Sequence, residues 1–327
     1  MIRTDIATIA AEADAFDAMA LNTPRVDAFC TSSAWILSAH QAFHPEQEPY
    51  VYRSDAGWLV LARGHAAGLG AYLSPMEAMW GLASPLLGGG DDDALFDGCE
   101  RALLEVQDDW DALWLCGMDA GSRAFRRLSQ RFGKTHRLFL GPVTRRYVAD
   151  LSRGIEGFWA DRARVFRKNL RRARRLADEA GVVWHWHDVV ADEAERQRLY
   201  ARILDVDKRS WKGLAHEGLG DSGMATFYEL MTQRLAKDGR MRVVFGRLDD
   251  EDVAMGFGAT FGDSFRGLQM SYDNRFRSLS LGNLVQVELI TRLCDEGIAS
   301  YDLGTEMDYK RRWSEFGLET TTLVIRR

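Results

Sequence analysis

Residues 265–283, FRGLQMSYDNRFRSLSLGN, and residues 299–313, ASYDLGTEMDYKRRW, decide how this chain is read. The run 265–273 predicts a strand ending at Tyr272-Asp273, and 275–283 predicts a tight Gly/Ser loop. A helix follows to about Glu296, then a short strand over 299–303. A strand–helix–strand unit of this length implies a right-handed parallel crossover. Its first loop then lies at the carboxyl edge of the sheet, where ligands bind. That loop also presents the first backbone N–H groups of the helix, and those donors with the helix dipole favour an anion, phosphate above all. Asp302 ends the second strand and should share that edge.

The remainder of the second half frames this unit. The run 144–151 predicts a strand and 155–180 one long helix ended by Gly181 as C-cap. The alternating run 182–188 predicts a strand, helices follow near 192–209 and 222–238, and strands 241–248 and 253–262 make a meander into the 265–273 strand. A last strand is expected at 318–326. In the first half, 5–20 and 26–43 predict helices, with Ser32 or Thr31 as a cap. Strands are expected at 50–53, 57–63 and 112–117, and helices near 93–108 and 121–132. The segment 81–92, GLASPLLGGGDD, reads as a plain loop, since no strand feeds its glycines and no Lys-Ser/Thr follows them.

Composition narrows the function. A chain of 327 residues, 46% apolar with six prolines, is globular and long enough for two domains or one large one. A formal charge of −6 gives no general reason to expect nucleic acid or a membrane surface. Cys30, Cys99, Cys116 and Cys294 are scattered without metal or disulfide spacing, which suits a reducing cytoplasm. The acidic N-terminus lacks a signal-peptide core, and the glycine- and proline-bearing run 65–90 is no membrane span.

The order of elements and several motifs resemble the GNAT acyltransferases. That superfamily carries a pyrophosphate loop R/Q-x-x-G-x-G/A after a central strand, matched here by Arg277, Ser280 and Gly282, with serine for the first glycine. Tyr272-Asp273, Asp302-x-Gly304, Tyr309-Lys310, Trp313 and the run Lys208–Gly213 resemble its CelD-like branch, associated with bacterial cellulose and polysaccharide biosynthesis. That branch is similar to the Fem-type aminoacyl-tRNA transferases, which carry two GNAT-like lobes in one chain. The resemblance implies an α/β (α+β) fold of two tandem GNAT-like lobes, each a mixed central sheet flanked by helices. Residues 1–143 would be a degenerate lobe and 144–327 the catalytic one.

The resemblance also implies a reaction: transfer of an acyl group, acetyl in the simplest case, from acyl-CoA to a small-molecule amine by direct attack, without metal. Arg277 and the 280–283 segment (Ser280, Leu281, Gly282, Asn283) would hold the donor, Gly282 allowing close approach. Asp302 either orders the Gly304 turn or holds the amine, since an unpaired buried carboxylate is costly. Tyr309 would protonate the leaving thiolate, and Lys310 would bind a phosphate or offset an oxyanion. Asp273 and Glu306, with Asp308 and His216, are candidate bases. Trp211 and Tyr272 would wall the acceptor side. His185 and His187 share a strand face with no third ligand, so they read as structural.

One signal points elsewhere. Residues 162–175 hold eight Arg/Lys and no acid. Arg164, Lys168, Arg171 and Arg175 form one stripe, with Phe158, Phe166, Leu170, Ala173 and Ala177 on the packed side. Such a stripe fits tRNA phosphates, an anionic membrane surface or the nucleotide phosphate of CoA. It sustains one alternative, an aminoacyl-tRNA-dependent transferase forming a peptide bond; Ser280 in place of the loop glycine and the absence of a clear base sustain another, a catalytically inactive binding protein of the same fold.

Overall fold

The computed structural model describes residues 1–89, 93–187, 192–221 and 223–327. The end of the expected 81–92 loop, residue 188 of the expected strand 182–188, and residue 222 lie outside them. The chain divides into two compact units, Met1–Arg145 with Leu318–Arg327, and Arg146–Gly317. Each is mixed α/β.

The first unit contains strands β1 (Ile2–Thr4), β2 (Glu48–Ser54), β3 (Gly57–Ala66), β4 (Gly70–Ser74), β5 (Leu86–Gly88) and β6 (Ala112–Met118). Its helices are α1 (Ile6–Ala11), α2 (Ala13–Asn22), α3 (Ala28–Thr31), α4 (Ser33–Phe43), α5 (Asp93–Glu105) and α6 (Arg123–Phe132). The two long helices expected at 5–20 and 26–43 are each broken in two. Asp5, Asp27 and Ser32 cap α1, α3 and α4, Ser32 accepting the Trp35 N–H as the sequence suggested, while α2 starts without a side-chain cap. The sheet runs β1-β2-β3-β4-β6 and takes Thr321–Arg326, at the chain's end, as an antiparallel neighbour of β6. The 81–92 segment is not all loop: Leu86–Gly88 pairs antiparallel with Gly57–Leu59 as β5.

The second unit takes up strand β7 (Arg137–Asp150) from Arg146 onward. It then contains α7 (Gly154–Ala160), α8 (Arg164–Glu179), β8 (Val183–His187), α9 (Glu193–Arg209), α10 (Trp211–Leu214) and α11 (Met224–Lys237). Strands β9 (Met241–Leu248), β10 (Glu251–Phe261) and β11 (Ser264–Tyr272) follow, then α12 (Leu281–Asp295), β12 (Ser300–Thr305) and the start of β13 (Glu315–Arg326). The expected single helix 155–180 is two helices. The break lies between Ala160 and Arg164, where the buried Arg162 lies over the Phe158 ring and pairs with Glu315 at 2.6 Å. Gly181 does close α8, at φ 86°.

The sheet of this unit runs β7-β12-β11-β10-β9-β8. Helices α7, α8 and α12 share one apolar core with it, including Phe158, Leu170, Val244, Leu284, Leu289 and Trp313. Phe245 alternates with Val244 and meets Arg202 of α9, so α9 covers the opposite face. Strands β11 and β12 are parallel as expected, but pair only at Ser264–Arg266 with Ser300–Asp302. Beyond that point they part. On the other side of β11 a bulge leaves Leu268 out of register, between the pairs Phe257–Gln269 and Gly258–Gly267.

Helix α12 sits close on the sheet because β10 has a glycine beneath it. A Cβ on Gly256 would lie 2.4 Å from Val285 Cγ1. We expect Gly256→Ala to lower unfolding free energy by about 1–3 kcal/mol through overpacking, measured by urea denaturation. A cost near zero would mean that α12 is free to move outward.

Candidate functional site

The point where β11 and β12 separate is fixed by charge. Arg266 and Asp302 stand opposite each other in the last parallel pair. Asp302 Oδ2 accepts from Arg266 Nη1 at 2.8 Å and from Arg146 Nη1 of β7 at 3.0 Å, while its Oδ1 accepts the Gly304 N–H at 2.7 Å. All three side chains are nearly inaccessible. Gly304 takes a left-handed turn, φ 85°, just beyond. Of the two roles the sequence suggested for Asp302, the structure displays the turn-ordering one, and the carboxylate is fully engaged in it.

Lys310 completes this buried group. It lies in a 3₁₀ turn, Asp308–Arg312, and its Nζ donates to the Thr305 carbonyl at 2.7 Å. Burial and then the nearby Arg266 charge pull its pKa down to about 8, against partial relief from Asp302. Tyr309 beside it is 41% exposed, and desolvation raises its phenol pKa.

The loop after β11 is a 3₁₀ turn, Asn274–Leu279, capped by Asp273. Ser280 follows in the left-handed region at φ 55°, where glycine is the less strained choice, and its side chain caps nothing. The Asn283 N–H is taken by the Ser280 carbonyl at 3.0 Å, so two amides remain rather than the three expected. Those of Leu281 and Gly282 have no acceptor among the described residues. Gly282 has a packing reason as well: a Cβ there would meet the Tyr272 ring at 3.1 Å.

A cavity of about 460 Å³ opens at this helix start. Ser278, Ser280 and Asn283 line one side, Tyr309, Arg312 and Trp313 another, and Asn169, Arg172 and Leu176 of α8 the third. Arg172 and Arg312 have no ion pair among the described residues, so both guanidiniums are available to an anion. The sequence did not single out either one: Arg172 was one charge in a long run and Arg312 one of three at a turn. The exposed stripe Arg164, Lys168, Arg171 and Arg175 does not line this cavity.

Other expected residues lie apart from it. Arg277 lines a second recess of about 620 Å³, with Arg209, Leu214, Asp273, Asn274, Arg275 and Ser278. Asp273 is buried and paired with Arg275 at 2.7 Å and Arg209 at 3.0 Å. Burial alone would raise its pKa, but the bonds to Arg275 and the charge of Arg209 outweigh that and hold the carboxyl below its ordinary range. Glu306 is bonded to Tyr147 and Arg311. Both candidate bases are thus ion-paired. Trp211 is 56% exposed on α10, and Tyr272 is half-buried against Gly282. His216 is exposed, and His187 meets Arg202 of α9 at 3.3 Å. Among the described residues, no three His, Cys, Asp or Glu side chains converge as a metal site, and no helix is long and apolar enough to cross a membrane.

The split parallel pair, the bulged strand beside it and the helix N-terminus at the mouth define an acyltransferase fold of the GNAT type. The acetyltransferase (GNAT) domain family matches residues 164–311. That stretch, from α8 to the turn after β12, is a GNAT acyltransferase domain. Its fold is similar to FemX at 12% identity, covering 98% of this chain and 97% of that one with a TM-score of 0.66. The C-terminal domain of a putative lysylphosphatidylglycerol synthetase from Agrobacterium fabrum is similar at 12% identity, 99% and 93% coverage and TM-score 0.55. A tandem GNAT protein from the clavulanic acid biosynthesis pathway is similar at 13% identity, 99% and 97% coverage and TM-score 0.50. No curated protein matches the chain.

We expect Asp302→Ala to cost about 3–5 kcal/mol of stability, because it strands two buried arginines. Chemical denaturation measures this, and an unchanged midpoint would contradict the anchoring role.

Proposed function

We propose that the second unit transfers an acyl group, acetyl in the simplest case, from acyl-CoA to the amine of a small molecule. Catalysis is assigned to 144–327, with 1–143 as a degenerate lobe, and the motifs around Tyr272, Asp302 and Trp313 favour the CelD-like branch. One observation carries the reading: Ser280 and Asn283 at the start of α12 line a single cavity with Arg172 and Arg312, and the Leu281 and Gly282 amides between them have no acceptor among the described residues. Pyrophosphate calls for that combination of N–H donors and bidentate cations. The parted strand edges offer backbone partners to the amide-bearing arm of the donor.

The amine attacks the thioester carbonyl directly, and the thiolate leaves without a covalent enzyme intermediate. Tyr309, still a protonated phenol at neutral pH, gives the thiolate its proton. Lys310, largely charged below its pKa of about 8, offsets the oxyanion. Asp302 positions both through Gly304 and Arg266. No metal takes part, and the cytoplasm is the compartment this donor implies.

A second reading rests on a separate observation. Arg164, Lys168, Arg171 and Arg175 are all exposed on α8 and could track the phosphates of an aminoacyl-tRNA. Calorimetry with CoA separates the two. We expect one CoA bound per chain, weakened at least tenfold by Arg172→Glu with Arg312→Glu. Reversing Arg164, Lys168 and Arg175 to Glu should change it less than twofold. Absence of CoA binding would overturn the first reading. It would favour tRNA if accompanied by tRNA binding with a salt slope of about −0.7 to −0.9 per phosphate that the reversal abolishes.

The protonation of Lys310 gives a second test. A cation that must be charged is lost as pH rises through its folded pKa, so kcat should fall above about 8. Lys310→Arg should move that descending limb out of range, while Lys310→Met should lower kcat by about 10²–10³. An ascending limb near 8 would instead make Lys310 a base.

A further inference from the structure

The recess on the α9 face of the 273–278 loop has no role in donor binding as described. Its acids are spoken for. Asp273 is claimed by Arg275 and Arg209, and the adjacent Glu251 accepts from the same two arginines at 2.8 Å each. Arg277 is different. It lines the recess, is exposed, and has neither an ion pair nor a side-chain hydrogen bond among the described residues. An apolar wall stands near it: Leu214 lines the recess at 63% exposure, and Trp211, 56% exposed, sits three residues earlier on the same short helix. Large apolar side chains left this open beside an unmatched cation describe a complementary ligand rather than a packed surface. Ser278 lines both this recess and the cavity at the α12 start, so the two adjoin at the 273–278 loop.

Resting on the acyltransferase reading, we propose that this recess is the acceptor site and that the acceptor is an anionic, partly apolar amine. Its carboxylate or phosphate pairs with Arg277 and its apolar part lies on Leu214 and Trp211. The amine then points over Ser278 toward the split strands. On this proposal Arg277 is a specificity determinant for the acceptor rather than the donor ligand its motif position suggested.

Phenyl phosphate and phenylacetate are suitable probes, with benzyl alcohol as the uncharged control, each titrated calorimetrically into the full chain saturated with CoA. We expect at least one anion to bind ten times more tightly than benzyl alcohol. Arg277→Ala should erase that difference, Arg277→Lys should restore part of it, and CoA affinity should stay within twofold in both variants. Preference between the two anions identifies phosphate or carboxylate as the acceptor's group. If Arg277→Ala weakens CoA tenfold, Arg277 belongs to the donor site and the proposal fails. If the wild-type chain binds the anions no better than the alcohol while still binding CoA, the acceptor assignment fails and the donor reading survives. Failure of the wild-type chain to bind CoA would remove the acyltransferase reading on which the proposal rests.

Discussion

The buried ion group at Asp302 is the constraint on which the site depends. Parallel strands normally stay paired along their length, yet β11 and β12 separate after Arg266 and Asp302. At that last pair one carboxylate holds two arginines and the first amide of the outgoing turn. Desolvating such charges is expensive, so the group is stable only with its geometry complete. Completion fixes three things together: the seam between β7, β12 and β11, the left-handed turn at Gly304, and the place where Lys310 comes to rest. The lowered pKa of Lys310 follows from its burial there and from the neighbouring Arg266.

A second constraint sets the other wall of the site. Helix α12 is pressed onto the sheet over Gly256 and against Tyr272 through Gly282. Its first turn is thereby held at the mouth of the split, with the Leu281 and Gly282 amides unbonded. The strained Ser280 directs the chain from the 3₁₀ turn into the helix. Strain at one residue of about 1–2 kcal/mol is tolerated because the packing around it leaves no other path.

Much of this was legible in the sequence, for local reasons. Strand 265–273, the loop after it, helix α12 and strand 299–303 are set by patterns within a few residues, and all four appear; the loop is a 3₁₀ turn, and α12 starts at Leu281, inside the expected 275–283 loop. The packed phase of α8 was legible too: Leu170, Ala173, Ala177 and Phe158 are buried as their spacing implied. What could not be read was long-range pairing. Arg146 meets Asp302 across 156 positions, and nothing near Asp302 announces it. Nor does the sequence show which side of α8 borders the cavity at the α12 start, so Arg172 was not separated from its basic neighbours. The pairing of Arg162 with Glu315, at the break in the long helix, was hidden for the same reason. The arginine partners of Asp273 and Glu306 were likewise invisible in the sequence.

The central claim is that the split between β11 and β12, with the helix start beside it, is the seat of the acyl donor. A crystal structure of the chain with CoA tests this most directly. The account requires the pyrophosphate within hydrogen-bond distance of the Leu281 and Gly282 amides, Arg172 or Arg312 on its oxygens, and the thiol end between the separated strands near Lys310. CoA seated elsewhere, with those amides bonded to protein or solvent alone, would contradict it.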